Sequence, residues 1–197
     1  MESLLICGDS FAADWTVKYS GSVGWPNMLC QDYQVTNLAQ AGCGEYKIYL
    51  QLKSTDLAAY DKIVVCHTSP YRIFIKHHPV HANDILHAHS DLLYSDVKAH
   101  SITNKNLLPI VDYFEKYFDL DHAVFTHGLI CKEIDQMLSG CNVIHVANIE
   151  WQNLYKFPNM LYFDKLRDKH AGTINHYDPT GNQQIYQLIK DKLSTLP

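Results

Sequence analysis

The chain has 197 residues, 47% hydrophobic and 19% charged, with a formal net charge of −5. That length accommodates one well-cored domain, and the ordinary globular composition excludes a fibre or a disordered chain. Scattered Lys and Arg in an acidic chain argue against a nucleic-acid backbone as partner, and no apolar run approaches the about 20 residues needed to cross a bilayer.

Residues 3–7, SLLIC, read as the first strand. Glu2 stands where a secretory signal would carry a basic residue, so the expected location is cytoplasmic, which a phage or viral component would satisfy equally. The six cysteines show no CxxC spacing, and Cys7 and Cys66 lie inside apolar runs. Buried, reduced thiols are expected. Further strands are expected at 34–38 (QVTNL), 62–68 (KIVVCHT), 122–127 (HAVFTH) and 142–147 (NVIHVA). Their near-continuous hydrophobicity suits a parallel sheet covered by helices on both faces.

Between the strands lie helical patterns. Pro26, after Gly24-Trp25, suits a first helical turn. Leu107, Ile110, Val111, Phe114 and Phe118 share one helical face, as do Ile185, Leu188, Ile189 and Leu193. Asp178 is placed to cap the last helix, with Pro179 at its first position. The alternation predicts a single three-layer α/β/α sandwich over 1–197 with a five-stranded parallel sheet in the order 2-1-3-4-5. Residues 70–105, rich in His, Asn and Ser, read as an irregular insertion.

Ligands of such sheets bind beyond the carboxyl ends of the strands. The first strand runs into Gly8-Asp9-Ser10, the second into NLAQAGCGE with Gly42, and the third into HTSPYR. His176 lies in the turn before the last helix. A serine hydroxyl needs a neighbouring base to become a nucleophile, and donors for the oxyanion it creates. Ser10 and His176 supply the first pair. The N–H groups of Ser10 and Gly42 are candidate oxyanion donors. Cys43, beside Gly42, has no partner His at a recognisable spacing and reads as a packed thiol.

These blocks resemble the SGNH (GDSL-type) serine hydrolases. Gly8-Asp9-Ser10 is similar to the family's first block, TNLAQAGCGEYKI with Gly42 to its second, and His176 followed by Gly181 to its last. The resemblance implies an esterase with Ser10 as nucleophile and His176 as base, acting on acetyl or short acyl esters, commonly on carbohydrate, without a cofactor. In the third block His67 replaces the family's Gly and Ser69 replaces its Asn, so Ser69 is the expected third oxyanion donor, with Thr68, His67 or Arg72 as substitutes. The family's acid three residues before the His is replaced by Thr173, which leaves Asp164 or Asp168 to orient His176. Asp9, Thr68, Tyr71 and Arg72 are the substrate-pocket candidates. A catalytically degenerate binding domain and an acyltransferase using the same pair are the alternatives.

The stretch KHHPVHANDILHAHSD (76–91) lacks the usual ligand spacings of zinc sites, so no metal is expected there. It reads as a solvated insertion lying as a lid over the strand ends.

Overall fold

The computed structural model describes residues 1–148 and 155–197. Its central sheet is parallel throughout, built from β1 (Ser3–Gly8), β2 (Gln34–Asn37), β3 (Lys62–His67), β6 (Val143–Ala147) and β7 (Met160–Tyr162) in the order β2-β1-β3-β6-β7. A second, two-stranded antiparallel sheet pairs β4 (Arg72–Ile73) with β5 (Leu92–Leu93). A short extended segment, β8 (Ala171–Ile174), bridges back onto Tyr177.

The alternation of side chains along each strand explains the unbroken apolar runs. Leu4, Ile6, Val64, Cys66, Ile144 and Val146 face one core, completed by α1 (Trp25–Met28) and α7 (Pro179–Ser194). Leu5, Cys7, Ile63, Val65 and Val143 face the other, completed by α2 (Glu45–Lys53) and α5 (Leu120–Met137). With both faces covered, β3 and β6 are buried at every position, while the edge strands β2 and β7 keep Gln34 and Tyr162 exposed. Each fully buried aliphatic side chain contributes about 1.5–3 kcal/mol relative to exposure.

The expected rank order along the sheet matches, but two strands have other identities. Residues 122–127 are not a strand; they lie in α5. There Asp119 accepts the His122 N–H at 3.0 Å, and His127, Cys131 and Ile134 are buried at helical spacing while Phe125 is exposed. The 3.6-residue period over the longer segment outweighs the local β-propensity. Strand 142–147 is therefore fourth in the sheet, and Met160–Tyr162 is fifth. The insertion is also more regular than expected. It contains the β4–β5 pair and α3 (Tyr94–Ser101), which packs with α4 (Leu108–Lys116) through Val97, Leu107 and Val111. The remaining helix, α6 (Asp164–Lys169), precedes β8. The Asp178 cap forms as expected, its carboxylate accepting the Gly181 N–H at 2.6 Å. Among the described residues no helix is long and apolar enough to cross a membrane.

Candidate active site

Beyond Gly8 the chain leaves the sheet in a tight turn whose backbone carbonyls are held one after another. Ser10 O accepts from Trp15 Nε1 at 3.0 Å, Phe11 O from Trp25 Nε1 at 2.8 Å, Ala12 O from Asn37 Nδ2 at 2.9 Å and Ala13 O from Asn175 Nδ2 at 2.8 Å. Four consecutive residues are thus clamped by side chains from four separate parts of the chain. The turn is rigid because its orphan acceptors are satisfied. Gly8 is required by proximity: a Cβ there would meet the Cys66 Cβ of β3 at 2.6 Å.

His176 arrives from the opposite end of the chain. Asn175 and His176 both take left-handed backbone angles, φ 51° and 65°, at the tip of the tight β8–Tyr177 hairpin. Such strain in non-glycine residues persists where surroundings over-determine it, and functional sites are where it clusters. The Asn175 clamp on Ala13 is one such restraint. The outcome is that His176 Nε2 lies 2.8 Å from Ser10 Oγ, across 166 residues of sequence. The ring is packed against Phe11, centroids 4.3 Å apart, and meets the edge of Trp15.

No carboxylate among the described residues hydrogen-bonds His176. Asp164 opens α6 and Asp168 lies within it; neither forms a hydrogen bond or ion pair with the imidazole. Thr173 is exposed on β8. Burial, then the positive charges of Arg167, Arg72 and His87, push His176 down to about 4. The ring is therefore neutral near pH 7 and able to accept a proton.

Gly42 lies in the loop after β2 with φ 76°, and a Cβ there would strike Ser90 at 2.5 Å. Its carbonyl accepts from Arg72 Nη1 at 2.9 Å and from the Asp91 N–H at 2.9 Å. Among the described residues the N–H groups of Ser10 and Gly42 have no hydrogen-bond acceptor. Cys43 is buried, its thiol 3.3 Å from Gly8 O, and burial pushes it well above the usual thiol range. It is a packing residue.

The third strand ends against a cavity of about 40 Å³ lined by Asp9, Phe11, His67, Thr68, Ser69 and Arg72, together with Asn148. Asp9 is pushed up to about 6 by burial, against the lowering effects of Arg72, the Phe11 N–H and Thr68. A larger hollow of about 590 Å³ adjoins it, sharing Ser69 and Arg72 and lined further by Tyr46, Phe74, Tyr113 and Tyr117. Tyr71 lines a separate hollow with Tyr94 and Phe114, so it is not brought to the cavity beside Asp9.

At the wall of the small cavity His67 joins a buried polar network. Its Nδ1 lies 2.7 Å from Glu45 Oε1 and its Nε2 2.9 Å from His145 Nδ1. Glu45 Oε2 accepts the Thr68 N–H at 3.1 Å, and His127 Nε2 donates to Thr68 O at 2.9 Å. Burial alone would raise the Glu45 carboxyl; His67 and His127 outweigh it and hold the group well below the usual carboxylate range. The peptide units leading into Ser69 are thus fixed by a buried anion and its imidazole partners.

Several of these residues carry no motif. Trp15, Trp25 and Asn175 act through backbone carbonyls, which sequence spacing does not reveal. Asn148 follows β6 and brings an amide to the Ser69 cavity, its Nδ2 3.0 Å from Cys66 Sγ and its Oδ1 2.6 Å from the Tyr177 hydroxyl. Its place after a strand of the parallel sheet was the available signal. Glu45 had one too, as an acidic residue opening a helix.

No family model matches this chain, and no curated protein matches it at a meaningful level.

Proposed function

We propose that the chain is a divergent SGNH-type serine ester hydrolase acting on acetyl or short acyl esters. The observation that carries this reading is the 2.8 Å contact between Ser10 Oγ and His176 Nε2 on the clamped turn that follows β1. His176 removes the hydroxyl proton as Ser10 attacks the ester carbonyl, then returns it to the departing alcohol. Water, deprotonated by the same imidazole, releases the acyl group.

The oxyanion forms near the N–H groups of Ser10 and Gly42. Ser69 supplies a hydroxyl in the third-block position, and Asn148 lines the same cavity with an amide donor. Packing against Phe11 and Trp15 does for the His176 ring what an acid does in other sites: it limits its rotation. Among the described residues a protonated His176 gains no carboxylate partner, so within this reading its imidazolium rests on the ring packing and on solvent. The adjoining aromatic hollow, with Tyr and Phe faces and the polar Asp119 and His122, suits a carbohydrate carrying the ester.

Labelling with a fluorophosphonate probe tests the proposal. Modification of Ser10, absent in Ser10→Ala and His176→Ala, together with hydrolysis of a short p-nitrophenyl ester, is the expected result. A folded protein that is neither labelled nor hydrolytic is a binding domain that kept the fold and lost the chemistry.

A further inference from the structure

The insertion gathers a second set of reactive side chains away from Ser10. His78 and His81 come from its loop and Asp96 from α3. His81 Nε2 lies 3.0 Å from Asp96 Oδ2, and His78 Nε2 lies 3.6 Å from the same oxygen. One atom from each of the three residues falls within 4.8 Å of the others. The His78 side chain is wholly buried, yet its Nε2, aimed at the carboxylate, has no hydrogen-bond partner among the described residues. A buried polar atom left unpaired is costly, and a missing ion is one of its standard explanations. His100 extends the cluster: its Nδ1 is 3.5 Å from Asp96 Oδ1 and its ring 5.4 Å from that of His81.

We propose that His78, His81 and Asp96 bind a zinc-class divalent ion that pins the insertion to α3. Two imidazoles and one carboxylate suit zinc, whereas calcium and magnesium prefer oxygen-only shells. Donors of a tetrahedral zinc site lie about 3.3 Å apart, so the observed separations close with small side-chain movements. His78 Nδ1 accepts the N–H groups of Val80 and His81, both at 3.2 Å, so its proton sits on Nε2. Ligation through Nε2 moves that proton to Nδ1. The two long N–H···N contacts are then given up in exchange for a bond to a dication, and the Val80–His81 turn shifts.

The expectation of no metal in this stretch rests on ligand spacing along 76–91, and the fold supplies the missing donor from Asp96. Pinning this loop bears on the rest of the molecule. Leu86 packs with Ala13 and Trp15, His87 meets Trp15 edge-on, and Asp84 pairs with Lys18.

Equilibrium dialysis of the untagged full chain against Zn²⁺, with Co²⁺ as a spectroscopic substitute, tests the site. One ion per chain is expected, with visible bands of a four-coordinate Co²⁺ complex lacking thiolate charge transfer, and Zn²⁺ raises the thermal midpoint. His81→Ala and Asp96→Asn, both at partly exposed positions, each weaken binding by at least about tenfold and abolish the thermal shift, while Cys131→Ser changes neither. Absence of stoichiometric binding overturns the proposal, as does binding that either His81→Ala or Asp96→Asn leaves within tenfold of the parent. So does a thiolate band lost in Cys131→Ser, which assigns the ion to the buried group of Glu45, His67 and Cys131 instead.

Discussion

The ring of Phe11 lies 4.3 Å from that of His176, tilted by 38°, directly beside the imidazole's contact with Ser10. The residue that follows the proposed nucleophile therefore also packs against the proposed base. Among the described residues this makes the geometry of the pair depend on packing and not on a carboxylate. Phe11→Ala is expected to lower kcat by about 10–10² with a smaller change in KM, because the base loses its wall and a small misplacement is costly. Phe11→Tyr, which keeps the ring, should retain most activity. Steady-state kinetics on a p-nitrophenyl ester checks both.

Replacing either member of the pair has a larger effect. Ser10→Ala and His176→Ala should each reduce kcat/KM by at least about 10³-fold, and the double variant should be little worse than the singles, since the two act as a unit. Far-UV and thermal-melt profiles close to those of the parent identify the loss as chemical.

The pH profile carries the signature of His176's surroundings. With the imidazole pushed down to about 4, the base stays unprotonated well below the ordinary histidine value of 6.5, and the acid limb of kcat/KM assigned to it lies near pH 4. Arg167→Gln removes a neighbouring positive charge and moves that limb upward. Asp9, pushed up to about 6, adds a separate step that disappears in Asp9→Asn. A folded value below the unfolded one means that the unfolded chain binds more protons between pH 4 and 6.5. The stability contributed by neutral His176 is therefore present above 6.5 and lost as the pH falls through about 4.

Ser69 and Asn148 separate into donor and scaffold roles by their kinetics. If each donates to the oxyanion, Ser69→Ala and Asn148→Ala lower kcat by about 10²-fold with KM nearly unchanged. Asn148→Ala also leaves the Tyr177 hydroxyl without its 2.6 Å acceptor, so it alone should lower the thermal midpoint.

Glu45 is a buried carboxylate, 4% exposed and shared by His67 and His127. Glu45→Gln removes the carboxylate from the buried network of His67 and His127 and should cost about 3 kcal/mol, a fall in melting temperature of about 10 °C. The parent's carboxylate contribution is present above the ordinary value of 4.5 and lost as the pH falls through the lowered folded value; the variant should show a flatter acid limb of stability. Thermal melts of both proteins between pH 3 and about 8 measure it.

Fold class was legible because both faces of the sheet are buried, so β1, β3 and β6 are continuous apolar runs that no other architecture needs. Residues 122–127 misled for a local reason: Val124, Phe125 and Thr126 favour strands, while the period that decides the helix extends to Ile134. Met160–Tyr162 is too short to announce itself. Within the site, Ser10, Gly42, Ser69 and His176 were legible as polar or small residues following strands or preceding the last helix. An orienting partner for His176 was not, because among the described residues the ring is held by Phe11 and Trp15, contacts that no spacing records.

Composition and periodicity by themselves determined the layered α/β arrangement and the turn after β1 that carries Ser10, since burial of alternating side chains and turn-forming residues act over a few positions. Tertiary structure alone decided that the His176 ring meets that hydroxyl, that Trp15, Trp25, Asn37 and Asn175 clamp the turn, and that Asp96 joins His78 and His81. Such contacts join residues scattered along the chain, and their distances depend on how helices and sheet pack, which one-dimensional patterns do not encode.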